Sequence, residues 1–111
     1  QRDFTYIDDI VEGVVRVLDK PATPETDGAA PHRVFNIGNH DPVELMAFVA
    51  AIEDALGMHA EKNFLPLQDG DVPATYADTA ALNAWTGFAP ATGVRDGVGR
   101  FVAWYRDYYK V

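Results

Sequence analysis

The chain has 111 residues, room for one domain and not two, and with 48% hydrophobic and 12% aromatic residues it can build a packed core. Seventeen acidic residues against nine basic ones give a net charge of −8, which argues against nucleic acid and against an anionic membrane surface but leaves room for one anionic small molecule held by one or two cations. Cysteine is absent, which excludes disulfides and thiolate metal sites and fits a reducing, cytoplasmic setting; no apolar run approaches the roughly 20 residues of a membrane span.

Residues Asp3 to Ile7 read as a strand, with Phe4 and Tyr6 on one face and Thr5 and Ile7 on the other. A strand with no lead-in, and no signal peptide before it, reads as the start of a piece of a longer protein. Asp8 or Asp9 then opens a helix. Val11, Val14, Val15 and Leu18 fall on one of its faces, the two aspartates suit its N-terminal dipole, and Lys20-Pro21 ends it. Residues 21–32 form a loop, and Arg33 to Ile37 a short strand stopped by Gly38-Asn39.

Asp41-Pro42-Val43-Glu44 carries the marks of a helix start: a cap residue, proline at the first helical position and a glutamate three residues after the cap. Leu45, Phe48, Val49, Ile52 and Leu56 line one face, and Gly57 stops the helix. Asn63 to Leu67 read as a strand, and 68–73 as a loop. Asp78 caps a short helix through Trp85 with Gly87 after it, and Thr92 opens the last helix. There Val98, Phe101, Val102, Tyr105 and Tyr108 recur at helical spacing, which assigns the terminal aromatic set to core packing, with Trp104 and Tyr109 off the stripe and available to a partner surface. Three strands alternating with four helices give an α/β class, with few strands for a complete domain.

Catalytic constellations are scarce. No activated serine stands out, His32, His40 and His59 match no metal-ligand spacing, and Asn36-Ile37-Gly38-Asn39 lacks the glycine pattern of a dinucleotide loop. The acidic pairs Asp8/Asp9 and Glu53/Asp54 read as a helix end and a solvated face. Asp69 and Asp71 flank Gly70 ahead of Pro73, a conformationally defined polar loop that reads either as a solvated turn or as a binding loop.

The motifs in order resemble one family. Arg2-Asp3-Phe4-Thr5-Tyr6-Ile7-Asp8-Asp9 is similar to the R-D-[FWY]-x-[YH]-[IV]-x-D segment of extended short-chain dehydrogenase/reductases. Phe35-Asn36-Ile37-Gly38 resembles their [YF]-N-[IL]-G strand, and Gly70-Asp71-Val72-Pro73-Ala74-Thr75-Tyr76-Ala77-Asp78 their G-D-[VP]-x-x-T-x-A-D loop. The ending, with Gly87-Phe88, Pro90, Thr92, Phe101-Val102 and Trp104-Tyr105, resembles their closing helix. Within the NAD-dependent epimerase/dehydratase branch, Arg2 to Asp9, Asn63-Phe64-Leu65-Pro66 and the loop from Gln68 to Asp78 are similar above all to UDP-glucuronate 4-epimerases.

The resemblance implies a C-terminal fragment of an extended Rossmann-type epimerase: 1–40 as the edge of an NAD-binding domain, 41–111 as a substrate-binding domain. The parent would use NAD to oxidise and re-reduce C4 of a UDP-hexuronate. The glycine motif and the Tyr-x-x-x-Lys pair of that chemistry are absent from these residues, so no catalytic residue is expected here. By family position Arg2 contacts the diphosphate, Asp71 accepts from the ribose hydroxyls, Phe4 lies near the nucleotide and Asn39 near its uridine end. Gln68 stands where some relatives carry arginine, which makes it a neutral hydrogen-bond donor. A nucleotide-sugar dehydratase or decarboxylase, or a non-catalytic binding module on the same scaffold, are the alternatives. A piece of such a protein exposes faces meant for the absent domain and is expected to self-associate.

Overall fold

Helix α1, Ile7–Asp19, begins one residue before the expected aspartates and ends where expected, at Lys20. The computed structural model describes residues 1–24, 26–66 and 68–111; Glu25, in the expected loop 21–32, lies outside the described residues. Asp8 and Asp9 occupy the first turn of α1, but neither caps it. Asp9 instead accepts the backbone N–H groups of Ala91 (3.2 Å) and Thr92 (2.9 Å), which ties the start of α1 to the approach of the last helix.

The expected strand 3–7 contracts to β1, Arg2–Asp3. It pairs antiparallel with β2, Pro42–Val43, in the register Arg2 to Val43 and Asp3 to Pro42. This pairing overrides the helix start expected at Asp41. Proline has no N–H to donate and is tolerated at the first residue of a strand. Helix α2, Leu45–Leu56, therefore starts later, with Glu44 extended before it (φ −64°, ψ 139°). The Glu44 carboxylate accepts from the Gln1 side-chain amide at 2.6 Å and does not cap the helix. Gly57 (φ 68°) ends α2 in the left-handed region, as a C-terminal glycine does.

Residues 33–37 form no ladder among the described residues. Their burial still alternates: Phe35 and Ile37 are half-buried, Val34 and Asn36 exposed. Phe35 meets Trp85, and Ile37 fits against Gly13 of α1. The side-chain pattern of a strand is present and a neighbour to complete it is not, because hydrogen-bonded pairing needs a second strand. Residues 63–66 form no strand either, and Leu67, the last residue of that expected element, lies outside the described residues.

Helix α3, Ala80–Thr86, follows Asp78, whose Oδ1 accepts the Ala80 N–H at 3.0 Å, and ends at Gly87 (φ 71°). Helix α4, Val94–Tyr109, starts two residues after Thr92, whose N–H is engaged by Asp9. Its buried line is Gly97, Val98 and Val102. Val98 and Val102 of the expected stripe are buried, but core packing of its aromatic members is overturned: Phe101, Tyr105 and Tyr108 are 43–65% exposed, as are Trp104 and Tyr109, expected off the stripe. Their rings touch one another along the helix, from Phe101–Trp104 to Tyr108–Tyr109. Helix α2 ends where Arg106 donates to the Leu56 carbonyl (2.9 Å), leaving the last turn of α4 beyond its reach.

Two contact zones result. Helices α2 and α4 enclose Ala51, Val98 and Val102, flanked by Phe48, Ile52, Leu56 and Val94. Helices α1 and α3 meet around Leu82, which is fully buried. The radius of gyration is 17.9 Å, against about 13 Å for a compact chain of this length. The outer apolar face of α1, including Val11, Val14, Val15 and Leu18, is 45–73% exposed. Among the described residues no helix is long and apolar enough to cross a membrane.

Candidate functional site

The ladder of β1 and β2 places Arg2 beside the loop that carries Asp71. One guanidinium nitrogen, Nη1, donates to the backbone carbonyls of Gln1 (3.0 Å) and Val72 (2.6 Å). The other, Nη2, pairs with Asp71 Oδ1 at 2.5 Å. The same carboxylate oxygen accepts the Val72 N–H (2.9 Å), so Asp71 also closes its own turn. Gly70 (φ 87°) supplies the left-handed residue that turn needs, and the Asp71 N–H bonds back to the Gln68 carbonyl (3.1 Å). The Arg2 and Asp71 side chains are 33% and 45% exposed. An ion pair in that setting is worth about 0–1 kcal/mol, so an incoming anion can open it.

A second set of bonds surrounds this pair. The Gln1 backbone nitrogen donates to the Pro73 carbonyl (2.8 Å), and the Thr75 N–H donates to the Gln1 carbonyl (3.3 Å). Asp3 accepts N–H groups from Asn39, His40 and Ala77, each at 3.1 Å. His40 adopts φ 57°, uncommon outside glycine and asparagine. Its Nδ1 lies 3.2 Å from the Ala77 carbonyl, which only accepts, so Nδ1–H donates there; Nε2 lies in hydrogen-bond contact with the Tyr76 hydroxyl at 2.6 Å.

Of the residues expected at the site, Arg2 and Asp71 are in direct contact, and Gln68, itself exposed, shares the Asp71 turn through its backbone. Asn39 is 8% exposed and reaches the site through its N–H on Asp3; its Oδ1 is buried without a hydrogen-bond partner. Phe4 stacks on Phe48 of α2, with centroids 4.1 Å apart and planes 7° from parallel. It lines an apolar groove of about 500 Å³ with Tyr6, Ile52, Leu56, Phe101 and Tyr105. Sequence reasoning missed Asp3, His40 and Tyr76. The signal for Asp3 was its place beside Arg2; for the other two none existed, since their meeting depends on the return of residue 77 to β1.

Glu53 anchors the segment leading toward this loop. Its side chain is 14% exposed, and Oε1 accepts from the Lys62 ammonium (2.6 Å) and the Ala60 N–H (2.7 Å). The Lys62 hydrogen bond first, then that of Ala60, hold the carboxyl below its ordinary value of 4.5, against burial, which pushes it up.

The chain's own residues do not make a dinucleotide cradle. A Cβ on Gly38 would lie 2.4 Å from the Ala77 Cβ and 3.0 Å from Asp3 Oδ2; on Gly13 it would meet Ile37, and on Gly97 Tyr6. These close backbone approaches are filled by the protein's own side chains.

No family model matches the chain. Relatives do. Protein CapI of Staphylococcus aureus is 52% identical over 98% of this chain and 36% of its own length. A probable UDP-glucuronate 4-epimerase of Rhizobium meliloti is 48% identical over 98% of this chain and 35% of its own length. Among solved structures, the UDP-glucuronic acid 4-epimerase of Bacillus cereus in complex with UDP-glucuronic acid and NAD aligns with a TM-score of 0.77 at 29% identity, over 96% of this chain and 32% of that one. The chain spans about a third of the length of the relatives it matches. Over nearly its whole length the chain is similar in sequence to about a third of the length of UDP-glucuronate 4-epimerases, and in fold to about a third of a solved one.

Proposed function

We propose that this chain is the nucleotide-sugar-binding, C-terminal portion of an NAD-dependent epimerase that interconverts UDP-glucuronate and UDP-galacturonate at C4. The observation that carries the reading is 48% identity to a probable UDP-glucuronate 4-epimerase across 98% of the chain. The proximity of Arg2 and Asp71 supports it. In this reading the diphosphate draws Nη2 of Arg2 away from Asp71, while the Gln1 and Val72 carbonyls keep Nη1, and so the guanidinium plane, in place. Asp71 is then released to accept from the ribose hydroxyls. Gln68 adds a neutral donor, and Phe4 and Asn39 border the nucleotide.

Residues 1–40 form the edge of the cofactor domain and residues 41–111 the substrate domain, with α3 returning to pack on α1. NAD is held by the remainder of the parent, and no chemical step falls to residues of this chain. The parent acts in the cytoplasm. The exposed face of α1 meets the rest of the parent, and in its absence a second copy.

The test is sugar-nucleotide analysis after incubating the full-length parent with UDP-glucuronate, where UDP-galacturonate is the expected product. In the same protein Arg2→Ala should weaken UDP-sugar binding in calorimetry by about 1.5–3 kcal/mol, the range for a charge-assisted hydrogen bond. Unchanged affinity would remove Arg2 from the site.

A further inference from the structure

Asp3 follows Arg2 on β1 and has none of the roles proposed above. Its N–H donates to Thr75 Oγ1 at 3.1 Å. Its carboxylate accepts three more N–H groups: Oδ1 from Asn39, and Oδ2 from both His40 and Ala77. A carboxylate only accepts, and bonds to it from N–H are of the stronger, charge-assisted class. Three remote stretches therefore converge on one side chain: β1, the turn at 38–40, and the part of the loop at 75–77 that continues from Asp71.

Two further features fit this convergence. Gly38 leaves the space that Ala77 and the Asp3 carboxylate occupy; a Cβ there would lie 2.4 Å from one and 3.0 Å from the other. His40 holds a left-handed backbone (φ 57°) while its N–H points to Asp3 and its ring bridges Ala77 and Tyr76. A residue kept in that conformation needs surrounding bonds that over-determine it.

We infer that Asp3 is a positioning residue for the Arg2–Asp71 site: by holding Asn39, His40 and Ala77 to β1, it sets the distance between the guanidinium and the loop carboxylate without touching the substrate. The inference rests on the reading of Arg2 and Asp71 given above.

The test is steady-state kinetics on UDP-glucuronate in the full-length parent, with amide hydrogen exchange as a readout independent of activity. Asp3→Asn keeps the size of the side chain but turns an NH2 group toward backbone donors. It should raise KM about tenfold with kcat changed less than about threefold, since the lost bonds act on binding geometry. Exchange at His40 and Ala77 should quicken. Asp3→Glu, which keeps the acceptor charge but moves it by one methylene away from the three N–H groups, should raise KM about threefold and decides the matter alone if Asp3→Asn does not fold. Faster exchange with KM unchanged in the folded variants overturns the inference. So does a joint fall of kcat and thermal midpoint at constant KM, the mark of general damage. Arg2→Ala separates the two readings. If it raises KM and the other variants do not, the positioning role fails and the site stands; if it leaves KM unchanged, the site fails and the inference with it.

Discussion

The two contact zones are built from similar amphipathic helices and end in different states. Between α2 and α4 the cover is mutual: Ala51, Val98 and Val102 are each at most 7% exposed, and Phe48, Ile52 and Leu56 close the edges. Between α1 and α3 only Leu82 and Gly13 are buried. Around Leu82 the contacts of that zone are aromatic and cationic. Lys20 and Arg33 both lie over Trp85, at 4.5 and 4.4 Å from its centroid, Trp85 donates Nε1–H to the Lys20 carbonyl (2.9 Å), and Arg16 lies over Phe88. The far side of α1 stays open. An apolar stripe in a sequence states that a face is to be covered; it does not state that the covering residues lie in the same stretch of chain.

The contrast can be broken most sharply at Leu82. Leu82→Ala removes the only large side chain fully buried among the described residues and should cost about 2–5 kcal/mol in chemical denaturation, at the upper end if the zone cannot collapse. A loss below about 1 kcal/mol would mean that the cation–aromatic contacts carry the α1–α3 zone.

A smaller, local effect sharpens the other zone. The Glu53 carboxyl is depressed in the folded chain, so its contribution is fully present above the ordinary value of 4.5 and is lost as pH falls through the lowered folded value. Amide exchange at Ala60, corrected for intrinsic rates, should therefore quicken below pH 4.5. In Glu53→Gln it should be fast at neutral pH, and equal protection in variant and wild type would show that the clasp is idle.

The smallest stability change is expected on the open face. Leu18 is 73% exposed, and Leu18→Ser should alter folding free energy by less than about 0.5 kcal/mol. The same change should weaken self-association in sedimentation; a wild-type chain that remains a clean monomer at high concentration counts against that face as an interface.

Helix content was legible wherever punctuation and periodicity agreed. The ends of α1, α2 and α3 fall within a residue of the Lys20, Gly57 and Gly87 signals, because a left-handed glycine or a Lys-Pro pair is a local constraint. The start of α2 was not legible. Asp41-Pro42-Val43-Glu44 satisfies the local rules for a helix, yet two of its residues are taken by β1, a partner 39 to 41 positions away. The aromatic stripe of α4 misled for a related reason: spacing gives a face but not its cover, which here buries Val98 and Val102 and leaves Tyr108 and Tyr109 beyond the end of α2. At the site, resemblance named Arg2 and Asp71, which are in contact. Its motif contained Asp3 but gave it no role, because a carboxylate receiving backbone N–H groups leaves no pattern in side-chain spacing.

The bonds of β1 and of Asp9 also bear on the order in which the chain assembles. Residues 2 and 9 are fastened to residues 71 and 92 across separations of 69 and 83 positions. Contacts of that span cost loop-closure entropy before they return any energy, and chains that depend on them fold slowly. During synthesis Arg2 can meet β2 once residue 43 has been made, but its site closes only when residues 71 and 72 follow, and Asp9 waits longer still, for residues 91 and 92.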